Sequence, residues 1–246
     1  MDVRERIMIN NEKISKSLFS YYVKKLDADI DQLTSQADCV TPPLPGYPGF
    51  LSLLGLYIFI LEKVDVAIVE TGMGGERDST NIFPHPIATG ITTIGLDHVN
   101  VLGHSLEEIA WHKAGIFKSG SPAFTVSQEE VVMEVLEQRA KEKHSAGLEV
   151  LTDQNVIQYH VKVSPDKRYQ RLNASLAIAL ADTYLRAEDR NFSMTDDIAR
   201  GLEDAVLLGR CQVVKDKDVT WFISVAHNKD SLRETVSWFK GCVITR

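Results

Sequence analysis

The chain has 246 residues, 44% apolar and 25% charged, with a formal net charge of −7. This composition is ordinary for a globular protein and excludes a collagen-like or compositionally disordered one. An acidic balance of this size gives no basic surface for nucleic acid.

Residues 14–33 place Ile14, Leu18, Tyr22, Leu26, Ile30 and Leu33 at steps of three and four, the pattern of an amphipathic helix. A Pro-rich loop, PPLPGYPG (42–49), precedes a second helix over 50–62. Its apolar stretch, FLSLLGLYIFIL, is 12 residues long and too short to cross a bilayer. VDVAIVE (64–70) is a continuous apolar run rich in β-branched residues and predicts a strand buried on both faces. IATGITTIG (87–95) predicts a second such strand and PAFTV (122–126) a third. Between them Ser105 and Glu108 form a capping-box pattern that opens a helix over 105–117. Ser127 with Glu130 predicts another capped helix to about residue 143.

LEVL (148–151) and IQYHVKV (157–163) predict short strands, and 169–186 a helix. Ser193 or Thr195 opens a further helix to Leu208. CQVVKD (211–216) and VTWFISVA (219–226) predict a hairpin, followed by a helix over 231–240 and a strand over 242–245. Strands alternating with helices give an α/β fold with a mostly parallel sheet flanked by helices, plus a small C-terminal α/β piece. The expected division is 1–209 and 210–246, at Gly209-Arg210. Cys39, Cys211 and Cys242 lie far apart without metal spacing, and the charged N-terminus does not read as a secretory signal. A reduced, cytoplasmic protein is the expected setting.

Chemistry concentrates in a few stretches. Glu70 ends an apolar run next to Gly72, Gly74 and Gly75, where open α/β sheets bind ligands. His98 follows the 87–95 run in GLDHVNVLG, with Asp97 beside it placed to orient the loop. Lys113 lies in WHKAGIFK, Asn173 in YQRLNASLAIA, and Arg210 in LLGRCQVV. His227 lies in TWFISVAHNKDSL. Taken together, and most strongly over 64–126, these stretches resemble the central domain of folylpolyglutamate synthases, within the Mur-ligase superfamily.

The resemblance implies roles. Glu70 and His98 become Mg²⁺ ligands at the ATP phosphates. Lys113 becomes a residue that is often carbamylated, which requires a neutral amine and hence a lowered pKa. Asn173, with Gln170 and Arg171 beside it, lies near the adenine, and Arg210, at the entry to the second domain, joins Asn173 as a cofactor-binding residue. Acid–base work would fall to Glu70, His98, Lys113 and His227.

Two departures stand beside these matches. The chain contains no G-x-x-x-x-G-K-[ST] phosphate loop, and Ser224 and Val225 stand where the resemblance places the Asp and Gly of a DGAH segment. Phosphoryl transfer is almost wholly positioning and electrostatics, so these losses remove ATP-driven glutamate ligation from the expectation. The expected function is binding of a small metabolite, with isomerisation, cyclisation or proton transfer that needs no ATP. A non-catalytic partner-binding module, or a genuine synthase represented by an incomplete chain, is the alternative. Apolar sheet surface left bare by a missing strand predicts a homodimer.

Overall fold

A computed structural model describes residues 2–36, 45–158, 161–189 and 196–244. Cys39, the first residues of the Pro-rich loop and the expected helix caps Ser193 and Thr195 lie outside them. The chain divides into two compact units, residues 2–73 with 78–82, and residues 74–77 with 83–244.

In the first unit, β1 (Met8–Ile9) and β2 (Glu12–Lys13) pair antiparallel through a two-residue turn. Asn10 and Asn11 both take positive φ, 51° and 64°, as a type I′ turn requires. Helix α1 (Lys16–Gln36) starts where the Ser15 hydroxyl accepts the Leu18 N–H at 3.1 Å. Helix α2 (Tyr47–Leu61) carries Pro48 in its first turn, where the missing N–H costs nothing. The two helices share a core of Ile7, Ile14, Tyr22, Leu26, Leu54 and Ile58. The buried Tyr22 ring keeps its hydroxyl satisfied by donating to Glu62.

The strand expected over 64–70 is not formed. These residues pair with no strand among the described residues, and Val66 and Ile68 are 45% and 87% exposed. A strand exists only against a hydrogen-bonding neighbour, and the apolar run has none here.

The second unit is built on a parallel sheet in the order β3-β4-β5. Its strands are β3 (Thr89–Ile91), β4 (Ala123–Val126) and β5 (Leu148–Leu151). Two short helices follow β3: α3 (Val99–Leu102) and α4 (Leu106–Lys113). Helix α5 (Glu130–Glu142) follows β4. Ala123 packs with Ile109, Ala110, Val132 and Leu136 of α4 and α5. Phe124 and Val126 pack with Leu172 and Leu176 of the long helix on the other face. This alternation along β4 makes three layers, helix on sheet on helix.

β3 is shorter than the 87–95 run. Beyond Ile91 its backbone is satisfied by a side chain: Gln128 accepts the Ile94 N–H at 3.0 Å and donates to the Thr92 carbonyl at 2.9 Å.

Helix α6 (Gln154–Gln158) occupies the start of the segment expected as a strand over 157–163, and Val161–Val163 join no sheet. Helix α7 (Arg168–Glu188) is the long helix, and α8 (Asp196–Glu203) ends five residues before Leu208. A hairpin of β6 (Gln212–Asp216) and β7 (Val219–Ile223) follows as expected. Helix α9 (Lys229–Ile244) packs Trp238 and Phe239 edge-on against Phe222. It takes in residues 242–244 of the run expected as a strand over 242–245, because Leu232, Val236, Phe239 and Val243 continue one helical stripe. The Ser127 cap is also replaced: Glu129 is the N-cap of α5 and its side chain makes no cap bond. No described helix is long and apolar enough to cross a membrane.

Candidate functional site

The loop after β3 is held by Asp97. Its Oδ1 accepts the His98 N–H at 2.8 Å, and its Oδ2 lies 2.9 Å from His227 Nε2. His98 itself sits at φ 51°, a left-handed conformation that turns the chain into α3, and its side chain is exposed. The second unit therefore joins two sequence-predicted stretches, DH at 97–98 and AHN at 226–228.

His227 stands between two acceptors. Its Nδ1 lies 3.1 Å from the Val225 carbonyl while Nε2 faces the Asp97 carboxylate. A neutral imidazole offers one N–H, so two facing acceptors favour the protonated form over the neutral one. The Val225 carbonyl first, and Asp97 second, raise its pKa above the ordinary histidine value. Partial burial pushes the Asp97 pKa up, but hydrogen bonds from His227 and the His98 N–H outweigh it, and the net shift is downward. Asn228 and Ser231 fix the backbone at this point, with the Ser231 N–H donated to Asn228 Oδ1 at 2.9 Å. The Ser224 hydroxyl lies 2.9 Å from that of Thr235 on α9.

Lys113 ends α4. The capping box at the other end of this helix is complete, with Ser105 accepting the Glu108 N–H and Glu108 accepting the Ser105 N–H. Lys113 is half-buried, and among the described residues no hydrogen-bond or ion-pair partner meets its amine. Desolvation lowers its pKa, with the Asp97 charge acting in the opposite direction. The carbonyls of His112 and Lys113 lie under Gly75, where a Cβ would come within 2.7 Å of both. Only glycine fits this close approach.

Glu70, Asn173 and Arg210 are exposed. Glu70 belongs to the first unit and is exposed. Asn173 lies on the exposed side of α7, with its amide 3.4 Å from Gln170 Oε1. Arg171 beside it is engaged by Asp153 at 3.2 Å and Asp166 at 2.5 Å. Arg210 is exposed, and its charge is a minor influence that lowers the His227 pKa. Among the described residues no three His, Cys, Asp or Glu side chains are grouped to hold a metal ion, and the Asp97 carboxylate is taken up by His227.

Sequence reasoning valued Asp97 only as a loop-orienting neighbour of His98 and missed Glu76. The latter carboxylate binds Arg139 at 2.5 Å and Lys143 at 3.0 Å. No local pattern announces this pairing, because its partners lie 63 and 67 residues away.

No family model matches the chain. Folylpolyglutamate synthase of Neurospora crassa is 42% identical over 248 residues, covering 98% of this chain and 47% of that protein. Folylpolyglutamate synthase from Saccharomyces cerevisiae is 38% identical over 255 residues, covering 98% and 46%. The chain thus spans about half the length of the curated relatives it matches. The solved apo form of L. casei FPGS superposes with a TM-score of 0.82 at 28% identity, over 98% of this chain and 62% of that one.

Proposed function

We propose, since this chain belongs to the folylpolyglutamate synthase family over the segment it spans, that it binds an anionic metabolite of the folate class at Lys113 and carries no ATP-driven ligation of its own. The single observation that carries this reading is the Lys113 amine. It is partly desolvated, lacks an ion-pair partner among the described residues, and stands on a helix end held in place by Gly75. A cation in that setting gains from an anionic group that replaces lost water. The carboxylates of a folate's glutamate supply such a group.

The phosphate side is weaker. Ser224 stands where the family resemblance places an Asp, and its hydroxyl lies 2.9 Å from that of Thr235 rather than supplying a carboxylate. His227, whose protonated form is favoured by the Val225 carbonyl and Asp97, adds a second positive charge in the same unit when protonated. The lowered pKa of Lys113 raises its share of neutral amine, so proton transfer to a bound ligand is the chemistry within its reach. Without turnover, the same site is a binding module.

Calorimetric titration with folyl diglutamate tests the reading. Saturable binding, weakened about 10- to 100-fold in Lys113→Met, is expected from the usual strength of charge-assisted hydrogen bonds. Equal binding by the two proteins overturns it. A second reading is favoured by the extent of the similarity, which covers 98% of this chain and 47% of the relative. In it the segment serves an ATP-dependent synthase whose other parts lie outside this sequence. Homodimer formation through the exposed 66–69 run belongs to the proposal as well, supported by the 87% exposure of Ile68, and light scattering of the purified chain checks it.

A further inference from the structure

Residues 74–76 are interlocked with the end of α4. A Cβ at Gly74, which has φ 71°, would meet Leu102 at 2.8 Å, and one at Gly75 would meet the His112 and Lys113 carbonyls at 2.7 Å. From the other side, a Cβ at Gly115 would lie 2.3 Å from Glu76 Cα. The Glu76 N–H donates to the His112 carbonyl at 2.8 Å. Backbone therefore touches backbone on both sides of Lys113.

The Glu76 side chain ties this segment to α5. It receives Arg139 Nη2 at 2.5 Å and Lys143 Nζ at 3.0 Å. Arg139 is 6% exposed, gives its other terminal nitrogen to Glu142 at 2.8 Å, and stacks its guanidinium over the Trp111 ring at 4.4 Å. Arg139 thus grips α4 through Trp111 and the 74–76 segment through Glu76. Both Glu76 and Glu142 pair the buried guanidinium, and of the two only Glu76 belongs to the 74–76 segment, so Glu76 is what joins that segment to Arg139.

We propose that Glu76 is a positioning residue for Lys113, clamping the Gly-rich segment onto the carbonyl end of α4 and so setting how deeply the Lys113 amine is buried. The proposal rests on the reading of Lys113 as the ligand-holding cation and names what holds it there. Charge and position act in opposite senses here. Removing a carboxylate from the neighbourhood of a lysine lowers the lysine's pKa, whereas loosening the clamp admits water and raises it. Lys118 provides the internal contrast: burial and Lys143 lower its pKa, and attraction to Glu76 opposes them.

The test is the pH dependence of acetylation by acetic anhydride, read lysine by lysine by mass spectrometry in wild type, Glu76→Gln and Glu142→Gln. In Glu76→Gln the neutral fraction of Lys113 at pH 8 falls about 3- to 10-fold, a tenfold fall being one pH unit. Lys118 moves the other way, and Glu142→Gln leaves Lys113 as in wild type. An unchanged or more reactive Lys113 in folded Glu76→Gln overturns the proposal even if the melting temperature drops. Arg139→Lys keeps a cation beside Glu76 while losing the fork and the stacking, and it shows the same shift at smaller size. A folded Arg139→Lys with a wild-type Lys113 profile overturns the proposal if Glu76→Gln does not fold. The labelling uses no ligand, so failure of folyl diglutamate to bind would sink the functional reading and leave this result standing.

Discussion

Replacing Gly115 with alanine tests the interlock at the end of α4 with a single methyl group. The new Cβ would lie 2.3 Å from Glu76 Cα and 2.5 Å from both Glu76 N and Glu76 Cβ. Two of these three are backbone atoms, so no side-chain rotation relieves the clash. Gly115 lies in the 3-10 turn Ala114–Ile116, and both flanking Ala114 and Phe117 are fully buried. Overpacking of this kind costs about 1–3 kcal/mol, with a backbone clash at the upper end. The smaller unfolded-state entropy of alanine offsets about 0.4–1 kcal/mol. A net loss of about 2 kcal/mol lowers the melting temperature by roughly 4–8 °C for a domain of this size. Thermal unfolding followed by far-UV circular dichroism measures it. Gly120→Ala is the control, since its φ of 74° strains an alanine while no atom lies within 4 Å of the new methyl. A Gly115→Ala protein that melts with wild type would refute the close backbone contact between residues 76 and 115.

Asp97→Asn removes one of the two acceptors that hold the His227 proton. The folded His227 pKa is raised, so its contribution to stability is complete below the ordinary histidine value and fades as pH rises through the folded one. Asp97 works oppositely: its lowered pKa gives stability above the ordinary carboxylate range, lost as acid protonates it. In Asp97→Asn the NMR titration of His227 moves down, and an unmoved titration contradicts the pairing. Ser105→Ala removes the N-cap of α4 and costs about 1 kcal/mol, read by urea unfolding; no change would mean the capping box contributes nothing. Thr125→Val leaves the Ile91 carbonyl without its 3.1 Å partner in the sheet and costs about 1 kcal/mol in the same assay, against no loss if water replaces the hydroxyl.

Local chemistry was legible in the sequence, and long-range pairing was not. The Ser105–Glu108 box is a four-residue pattern and reads correctly, as do the apolar runs that become β4 and β5. VDVAIVE carries the same signal as those strands yet forms none, because pairing depends on a neighbour that no local window reveals. The 157–163 and 242–245 runs are short enough to suit either helix or strand, and neighbouring packing decides. In the site, the DH pair at 97–98 was visible as a candidate. Its partner His227 lies 130 residues on, and the fold alone brings them together. Lys113 was found through its surroundings, but the close approach of Gly75 and Glu76 to the end of its helix has no sequence signature.

The decisive measurement is calorimetric titration of the chain with ATP in excess Mg²⁺, alongside Lys113→Met. A chain that holds folate-class anions rather than nucleotide at Lys113 gives no saturable heat at millimolar ATP. Saturable, Mg²⁺-dependent binding that disappears in Lys113→Met would contradict that account and assign the site to ATP-driven ligation.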